Sequence, residues 1–422
     1  MSRCRSARAR VLAASFAAGC AAHEQAPPPA AAPASAPACA GASAIQWGPE
    51  HVGESPSAGA CAELLSTADG VYVAERLAEP ARIGVTRLGD ATPALSFAHV
   101  TSATFAAQPR RRELVIAGRY EQRLPSLPAD APDSGYFVLA VEPHGKLLWS
   151  VGVPSEADDD GDLALVLTDD GSVILAGNEA FLRRVPGVSA SLPGPAAGGW
   201  AMLAITQGRV THVAGFAGFA GTPLMELSGT APNALYVAEQ EGDVRVLSRL
   251  SPTFAPLWRK PLPSFALQSL VASASGVWLA STEFVASSSR AHLDARVTHY
   301  APDGATQTSF AFGDDARGPF GHQRLQRLAL AEDGAVVWAL GTFETSVAIA
   351  GHSLRTTEFG KVSFVSAVTT GGRPLLLAGL RTQSTELSPQ LLLTKDRALI
   401  ARDDGEGGCE LGRISLVTKE PR

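Results

Sequence analysis

The sequence is poor in residues on which several classes of protein depend. Aromatic residues make up 6% of its 422 residues, and charged residues make up 18%. After residue 20, no segment reaches the ~18 consecutive apolar residues that a membrane helix needs, so attachment to a membrane would require a lipid. Few aromatic residues beside 41 Gly and 29 Pro indicate many turns and short strands, which favours an all-β class.

The sequence motifs of common catalytic sites are also missing. It has no Gly-x-Ser-x-Gly elbow, His-Glu-x-x-His pair, phosphate-binding loop or Cys-x-x-Cys pair. His292, His322 and His352 fall in or near expected loops, where single surface histidines are the usual finding. Arg110–Arg112 is expected to be a solvated run. The sequence therefore names no catalytic residue and favours a protein that is not an enzyme.

The N-terminus has the layout of a secretory signal. Four arginines in the first ten residues precede the short apolar run Val11–Ala18. The next residues complete Ala17-Ala18-Gly19-Cys20, which resembles a bacterial lipobox with Ala17 where leucine is usual. This resemblance implies a signal peptide over residues 1–19 and lipid attachment at Cys20. The alternative is an ordinary secretory signal cut at Ala38-Cys39-Ala40.

The charge balance argues against nucleic acid as a partner. The 35 basic residues fall to 31 once the four signal arginines are removed, against 41 acidic residues, which leaves a net charge of −10. A surface of this sign does not favour phosphate backbones or anionic lipid headgroups.

Three cysteines remain beyond the signal and Cys20. In an oxidising compartment, Cys39, Cys61 and Cys409 indicate one disulfide and one odd cysteine. Their spacing leaves the pairing open, and three unpaired thiols are the alternative.

Residues 20–43 consist almost entirely of Ala, Pro and Ser. Such a segment buries too little apolar surface to fold, and its prolines extend it to as much as ~3.1 Å per residue. We interpret it as a tether for a folded domain over residues 44–422.

An apolar strand that ends in alanine recurs seven times in that domain. The two residues before each alanine are large and apolar, as Ile174 and Leu175 are before Ala176. Neighbouring residues of a strand point to opposite faces, so both faces of these strands must be buried. The alanines are Ala74, Ala117, Ala176, Ala238, Ala280, Ala339 and Ala401, at spacings of 43, 59, 62, 42, 59 and 62 residues.

Four strands surround each alanine and predict a seven-bladed β-propeller. We call them a to d in chain order; tight turns such as Asp170-Gly171 join a to b, and turns such as Gln207-Gly208 join c to d. The seventh unit ends after strand c, whereas Ala44–Glu50 precedes the first unit and resembles a d strand. We expect this N-terminal strand to complete the last blade, which would bring Cys409 near Cys39 and Cys61. Cys61–Cys409 or Cys39–Cys409 is then the predicted disulfide.

Two families of propeller repeat are similar to parts of this domain. Tyr136–Ser150 followed by Leu163–Gly177, and Arg296–Gly313 with Leu328–Phe343, resemble the repeats of secreted bacterial β-propeller proteins (SBBP type). That resemblance implies a propeller fold and secretion, without a shared reaction. Gly145–Trp149 also resembles the repeat of quinoprotein-type propellers, in which a tryptophan recurs in strand d. Here Trp149, Trp258 and Trp47 fit that pattern, and we expect them to fill gaps between blades.

Strand direction places all tight turns on one face of the ring and the longer b–c and d–a loops on the other. Binding residues are expected among these long loops, which are Glu121–Ser134, Ser155–Asp162, Ala180–Gly199, Gly313–Gln323 and Thr345–Lys361. The carboxylates of Asp158, Asp160 and Asp162 offer oxygen ligands to calcium, the only cofactor that the sequence raises. Their spacing departs from that of an EF-hand, which favours a solvated acidic turn.

These observations predict a lipid-anchored, monomeric propeller that binds an envelope protein or glycan. Ala21 after the lipidated cysteine directs it by the usual bacterial sorting pattern to the outer membrane, with a periplasmic or secreted location as the alternative. Two other functions stay open: an enzyme with a site built from the b–c and d–a loops, and an envelope-assembly lipoprotein with quinoprotein-type repeats.

Overall fold

The structure of the protein is a computed structural model. It describes residues 46–47, 59–77, 82–88, 90, 93–154, 163–188, 199–216, 224–227, 235–241, 243–262, 266–286, 291–313, 323–331, 334–356, 362–380, 390–394, 397–403 and 409–415. All of them belong to the compact unit Cys39–Arg422. In these ranges, no helix combines the length and the apolar character that crossing a membrane requires.

The described residues form seven antiparallel sheets of four strands, each of which is one blade. Blades 1 to 3 each contain strands a to d in chain order. Blade 1 contains β2 (Gly59–Thr67), β3 (Gly70–Leu77), β4 (Arg82–Arg87) and β5 (Leu95–Ala98). Blade 2 contains β6 (Val100–Ala107), β7 (Leu114–Tyr120), β8 (Gly135–Val141) and β9 (Leu147–Pro154). Blade 3 contains β10 (Ala164–Leu167), β11 (Val173–Asn178), β12 (Trp200–Thr206) and β13 (Arg209–Phe216).

Blades 4 to 6 repeat this order. Blade 4 contains β14 (Leu224–Leu227), β15 (Leu235–Glu241), β16 (Val244–Leu250) and β17 (Pro256–Leu262). Blade 5 contains β18 (Ala266–Ser273), β19 (Gly276–Ala286), β20 (Ala291–Tyr300) and β21 (Thr306–Phe312). Blade 6 contains β22 (Gln323–Leu330), β23 (Val336–Phe343), β26 (Val362–Thr369) and β27 (Pro374–Leu380), with a separate hairpin of β24 (Ser346–Ile349) and β25 (His352–Arg355) inserted after β23.

The N-terminal strand completes the seventh blade, as the sequence predicts. Strands β28 (Gln390–Leu393), β29 (Arg397–Asp403) and β30 (Cys409–Ser415) supply a to c, and β1 (Gln46–Trp47) is strand d. Gln46 lies opposite Arg413 and Trp47 opposite Gly412 in an antiparallel pair. The first strand of each blade contacts the first strands of both neighbouring blades all round the ring, so these seven strands surround a central channel.

The seven repeated alanines lie on strand b of each blade and are all buried. On β11, Leu175 packs in the cluster between blades 2 and 3, whereas the adjacent Ile174 packs in the cluster between blades 3 and 4. Each of the seven interfaces between neighbouring blades contains one such apolar cluster. The prediction that strand b is buried on both faces is therefore confirmed.

Two of the tryptophans fill gaps between blades, as expected. Trp149 on β9 lies over the c–d turn of blade 3, where a Cβ on Gly208 would be 3.3 Å from the Trp149 Cβ. Trp258 on β17 lies over the c–d turn of blade 5 in the same way, and its indole Nε1 donates to the carbonyl of Pro302 at 2.7 Å. These contacts join the outer rim of one blade to the next blade.

Removal of the N-terminal strand tests the ring closure. A chain that begins after Val52 should melt about 2–5 °C below the full-length protein, because β30 loses its partner and becomes an exposed sheet edge. Calorimetry measures the change, and a chain that begins at Ala44 is the matched control, with an unchanged melting temperature. Equal melting temperatures for both truncated chains would contradict the stabilising role of β1.

Candidate functional site

Three long b–c connections distinguish the long-loop face from the tight-turn face. They follow β7, β11 and β23, in blades 2, 3 and 6. Their described parts are residues 121–134, 179–188 and 344–356. The predicted d–a loop over 155–162 lies outside the described residues, as does 314–322 of the loop before β22. The described part of this face is therefore formed mainly by the three b–c connections.

The connection in blade 2 packs down onto the ring. Leu124 and Leu127 are buried in the cluster between blades 1 and 2. The Tyr120 hydroxyl donates to the carbonyl of Pro132 at 3.0 Å, and the Ser150 hydroxyl donates to the carbonyl of Ser126 at 2.9 Å. These contacts hold the connection at several points along its length.

The connection in blade 3 begins with a short helix, α1 (Glu179–Leu182), where the sequence predicts only a loop. Asn178 caps it, because its side-chain oxygen accepts from the N–H of Ala180 at 2.8 Å. Four apolar side chains of this connection are buried between blades 2 and 3: Phe181, Leu182, Val185 and Val188. Their helix-like spacing after a capping asparagine was the available signal.

The connection in blade 6 is also more ordered than the predicted loop, because it contains the β24–β25 hairpin. Val347 and Ile349 are buried in the cluster between blades 5 and 6. The Gln323 side-chain nitrogen donates to the carbonyl of Ser346 at 2.9 Å, and the Ala348 N–H donates to the carbonyl of Gly313 in blade 5 at 2.8 Å. The hairpin thus links β22, the first strand of blade 6, to blade 5.

The central channel contains polar side chains that join neighbouring first strands. The N–H of Leu325 donates to the Gln268 side-chain oxygen at 2.7 Å, and the N–H of Leu328 donates to the Ser269 hydroxyl at 3.0 Å, from β22 to β18. Between β6 and β2, the N–H of Phe105 donates to the Glu63 carboxylate. Edge N–H groups of one blade are thereby satisfied by the side chains of another.

Two carboxylates of blade 1 are shifted toward the protonated form. Burial raises the pKa of Glu63 to about 7, although the Arg327 guanidinium and the Phe105 N–H act in the opposite direction. Burial likewise raises the pKa of Glu75 to about 7. Carboxyl groups with such shifts are concentrated at functional sites in proteins.

Glu75 and Glu239 occupy the same position of the repeat, directly after the repeated alanine of strand b. Glu239 forms an ion pair with Arg259 at 3.2 Å. Glu75 shares the face of Val73, which packs against Leu399 of blade 7, but it has no ion pair or hydrogen bond among the described residues. This difference explains why burial dominates the pKa of Glu75.

A cleft of about 540 Å³ lies on the tight-turn face, next to blades 2 and 3. Arg110 and Arg112 are exposed on it, as expected for a solvated run. Arg111 departs from that expectation: its guanidinium binds the carboxylate of Glu113 and donates to the carbonyl of Asp169 in the a–b turn of blade 3. Exposed Arg112 forms an ion pair with Asp69 in the a–b turn of blade 1 at 3.3 Å, so the arginine run joins blade 2 to both of its neighbours.

The structure places few of the site residues that the sequence predicts. Cys20, Cys39, Asp158, Asp160, Asp162 and His322 lie outside the described residues. The backbones of Cys61 on β2 and Cys409 on β30 lie on strands of adjacent blades that contact each other, and their disulfide stays a prediction. His292 lies on β20 and His352 on the inserted hairpin. Across the described ranges, no three His, Cys, Asp or Glu side chains are grouped as metal ligands.

One buried histidine, His299, was not among the candidate residues that the sequence indicated. His299 on β20 stacks on Trp278 of β19, with ring centroids 4.4 Å apart and planes 8° apart. Burial lowers its pKa, and among the residues that the structure describes neither its Nε2 nor the Trp278 Nε1 has a hydrogen-bond partner. The pair lies in the interface between blades 5 and 6, so it contributes to packing rather than to the long-loop face.

The shifted carboxylates predict a pH dependence of stability. Folded Glu75 keeps its proton up to about pH 7, whereas an unfolded glutamate loses it near 4.5, so the free energy of unfolding falls as the pH rises between these values. Glu75→Gln should reduce this fall between about pH 5 and pH 8 by ~1–3 kcal/mol. Urea unfolding at several pH values measures the free energy of unfolding, and Glu121→Gln at an exposed position is the control. If Glu75→Gln and wild type show the same pH dependence, Glu75 does not have a raised pKa.

No protein-family model matches the sequence, and no curated protein sequence matches it. Solved structures are nevertheless similar in fold. Hydrazine synthase from Kuenenia stuttgartiensis is 10% identical over 86% of this chain and 97% of that chain, with a TM-score of 0.54. The Dos1 propeller is 10% identical over 87% and 94%, with a TM-score of 0.49. The Cps50 (Swd1) β-propeller domain from Myceliophteria thermophila is 12% identical over 86% and 98%, with a TM-score of 0.48.

At these identities the similarity concerns the fold alone. The propeller fold that both resemblances of the sequence imply is confirmed by the strand pairing within this chain. The match to a particular repeat family stays a prediction.

Proposed function

We propose that this protein is a lipid-anchored binding module of the cell envelope. The propeller fold is consistent with a binding or scaffolding module. The lipobox-like Ala17–Cys20 and the Ala/Pro-rich residues 20–43 supply the anchor and the tether in this proposal. A rigid ring held off a membrane by an extended tether is suited to reach a ligand in the same compartment.

The ordering of the three b–c connections is the observation that carries the proposal. Each is fixed by apolar side chains that are buried between blades, such as Leu127, Phe181 and Val347. A connection fixed before binding loses little conformational entropy when a ligand arrives. Loops that only joined strands would not need these buried contacts, so we assign the long-loop face to ligand binding.

The ligand class follows from the proposed location and from charge. The mature chain has a net charge of −10, which does not favour nucleic acid. An envelope protein or glycan is the proposed partner, the outer membrane is the proposed location, and the propeller acts as a monomer. Calcium at Asp158, Asp160 and Asp162 stays the only cofactor that we consider.

Metabolic labelling tests the lipid anchor. Wild type should incorporate labelled palmitate and fractionate with membranes, whereas Cys20→Ser should do neither, because the thiol that carries the lipid is missing. Cys4→Ser is the matched control and should label like wild type. Labelling of Cys20→Ser, or of no form, would contradict the anchor.

Site-specific photo-cross-linking in cells tests the binding face. A photoreactive residue at exposed Asp130, on the long-loop face, should give a discrete adduct with an envelope protein or glycan, because the partner lies against the b–c connections. The matched control is exposed Asp303, in a c–d turn on the tight-turn face, and it should give none. Adducts at Asp303 alone would place binding on the wrong face and would overturn the assignment.

A further inference from the structure

Two arginines lie on the innermost strand of blade 6, Arg324 at its long-loop end and Arg327 farther along the channel. Arg324 and Arg327 belong to β22, the innermost strand of blade 6, and both are exposed. The strand enters the ring from the long-loop face, so its first residues lie at that mouth. Arg324 pairs with Thr342 and Arg327 with Leu340, which share one face of β23.

A β-bulge brings the two arginines together on that face. The register between β22 and β23 shifts between Leu325 and Arg327, so Gln326 is the extra residue. Arg324 and Arg327 are consequently next neighbours on one face, ~7 Å apart along the strand. Two guanidinium groups at this separation are within reach of a single carboxylate or phosphate group.

Neither guanidinium has an ion pair or a hydrogen bond in the structure as described. Three other arginines are paired with carboxylates: Arg183 with Glu179, Arg259 with Glu239 and Arg296 with Glu283. Arg327 interacts with the carboxylate of Glu63 in blade 1 through its charge. Burial of Glu63 favours its neutral form, so it offsets the two positive charges only in part.

The site is also connected to the face that we assign to binding. Gln323, the residue before Arg324, holds the β24–β25 hairpin through the carbonyl of Ser346. A ligand on the blade 6 connection therefore lies next to Arg324. The surrounding protein walls concentrate the field of the two charges at the channel mouth.

We infer that the channel mouth binds an anionic group of the ligand, a carboxylate or a phosphate, through Arg324 and Arg327. This inference rests on the proposed binding function and names the chemistry of one contact. Each guanidinium donates hydrogen bonds to the anion, and the Glu63 carboxylate opposes binding when it is ionised.

Thermal-shift titrations of the full-length protein in detergent test the inference, with citrate and inorganic phosphate as the probes and sodium chloride at equal ionic strength as the reference. One or both probes should raise the melting temperature of wild type. Arg324→Gln or Arg327→Gln should weaken the apparent affinity about tenfold, the loss expected for a hydrogen bond to a charged group. Glu63→Gln should strengthen it about two- to fivefold, because an opposing charge is removed.

Two controls separate the site from general charge effects. Arg110→Gln, on the cleft of the tight-turn face, should bind the probes like wild type, and Arg327→Lys should keep part of the affinity if the variants fold normally. Comparison of the rise in melting temperature caused by citrate with that caused by phosphate distinguishes a carboxylate site from a phosphate site. The inference would be overturned if the probes raised the melting temperature of wild type no more than sodium chloride does. An unchanged apparent affinity in Arg324→Gln and Arg327→Gln, or a reduced apparent affinity in Arg110→Gln, would also overturn it.

The cross-linking experiment separates this inference from the function on which it rests. Adducts at Asp130 without anion binding would overturn the anion site alone. Anion binding without adducts at Asp130 would contradict the assigned binding face and leave the anion site standing.

Discussion

Close packing on both faces of each strand b is the constraint on which the ring depends. The repeated alanines are buried where neighbouring sheets approach, and one apolar cluster fills every interface between blades. Within blade 2, glycine serves where the bulged strand β6 comes close to β7: a Cβ on Gly118 would lie 2.2 Å from the carbonyl oxygen of Ser102. Because each blade needs two neighbours, the stack is satisfied only as a closed ring, and β1 completes it.

Ring closure also sets the chemistry of the channel. The innermost strands have one edge without a strand partner, and side chains such as Ser269 and Glu63 accept from the N–H groups of the next blade. The same burial favours the neutral form of Glu63 and Glu75. Within the described residues, Arg324 and Arg327 form no ion pair or hydrogen bond, unlike Arg259 and Arg296. Stability and candidate binding chemistry thus come from the same seven strands.

The long-loop face shows where sequence patterns are insufficient. Strand order and the tight turns follow from local signals such as Asp170-Gly171, and the structure confirms them. The blade 3 and blade 6 connections were predicted as loops, yet one contains α1 and the other the β24–β25 hairpin. The signal for α1 was four apolar residues at helical spacing after Asn178, outside the strand pattern of the repeat. In the Ala350-Gly351 turn, alanine stands where Asn, Asp or Gly is usual in a hairpin. Contacts of Phe181 and Val347 with the ring stabilise both elements.

The sequence by itself determined the repeat, the number of blades and the N-terminal closure, because period-two burial and tight-turn residues are local properties that each unit repeats. Only the tertiary structure decided which polar residues meet. Glu63 and Arg327 belong to blades 1 and 6, and nothing in their sequence neighbourhoods links them. They interact because the ring places every first strand around one channel, where burial of Glu63 weakens the screening of its charge from a charge on another blade.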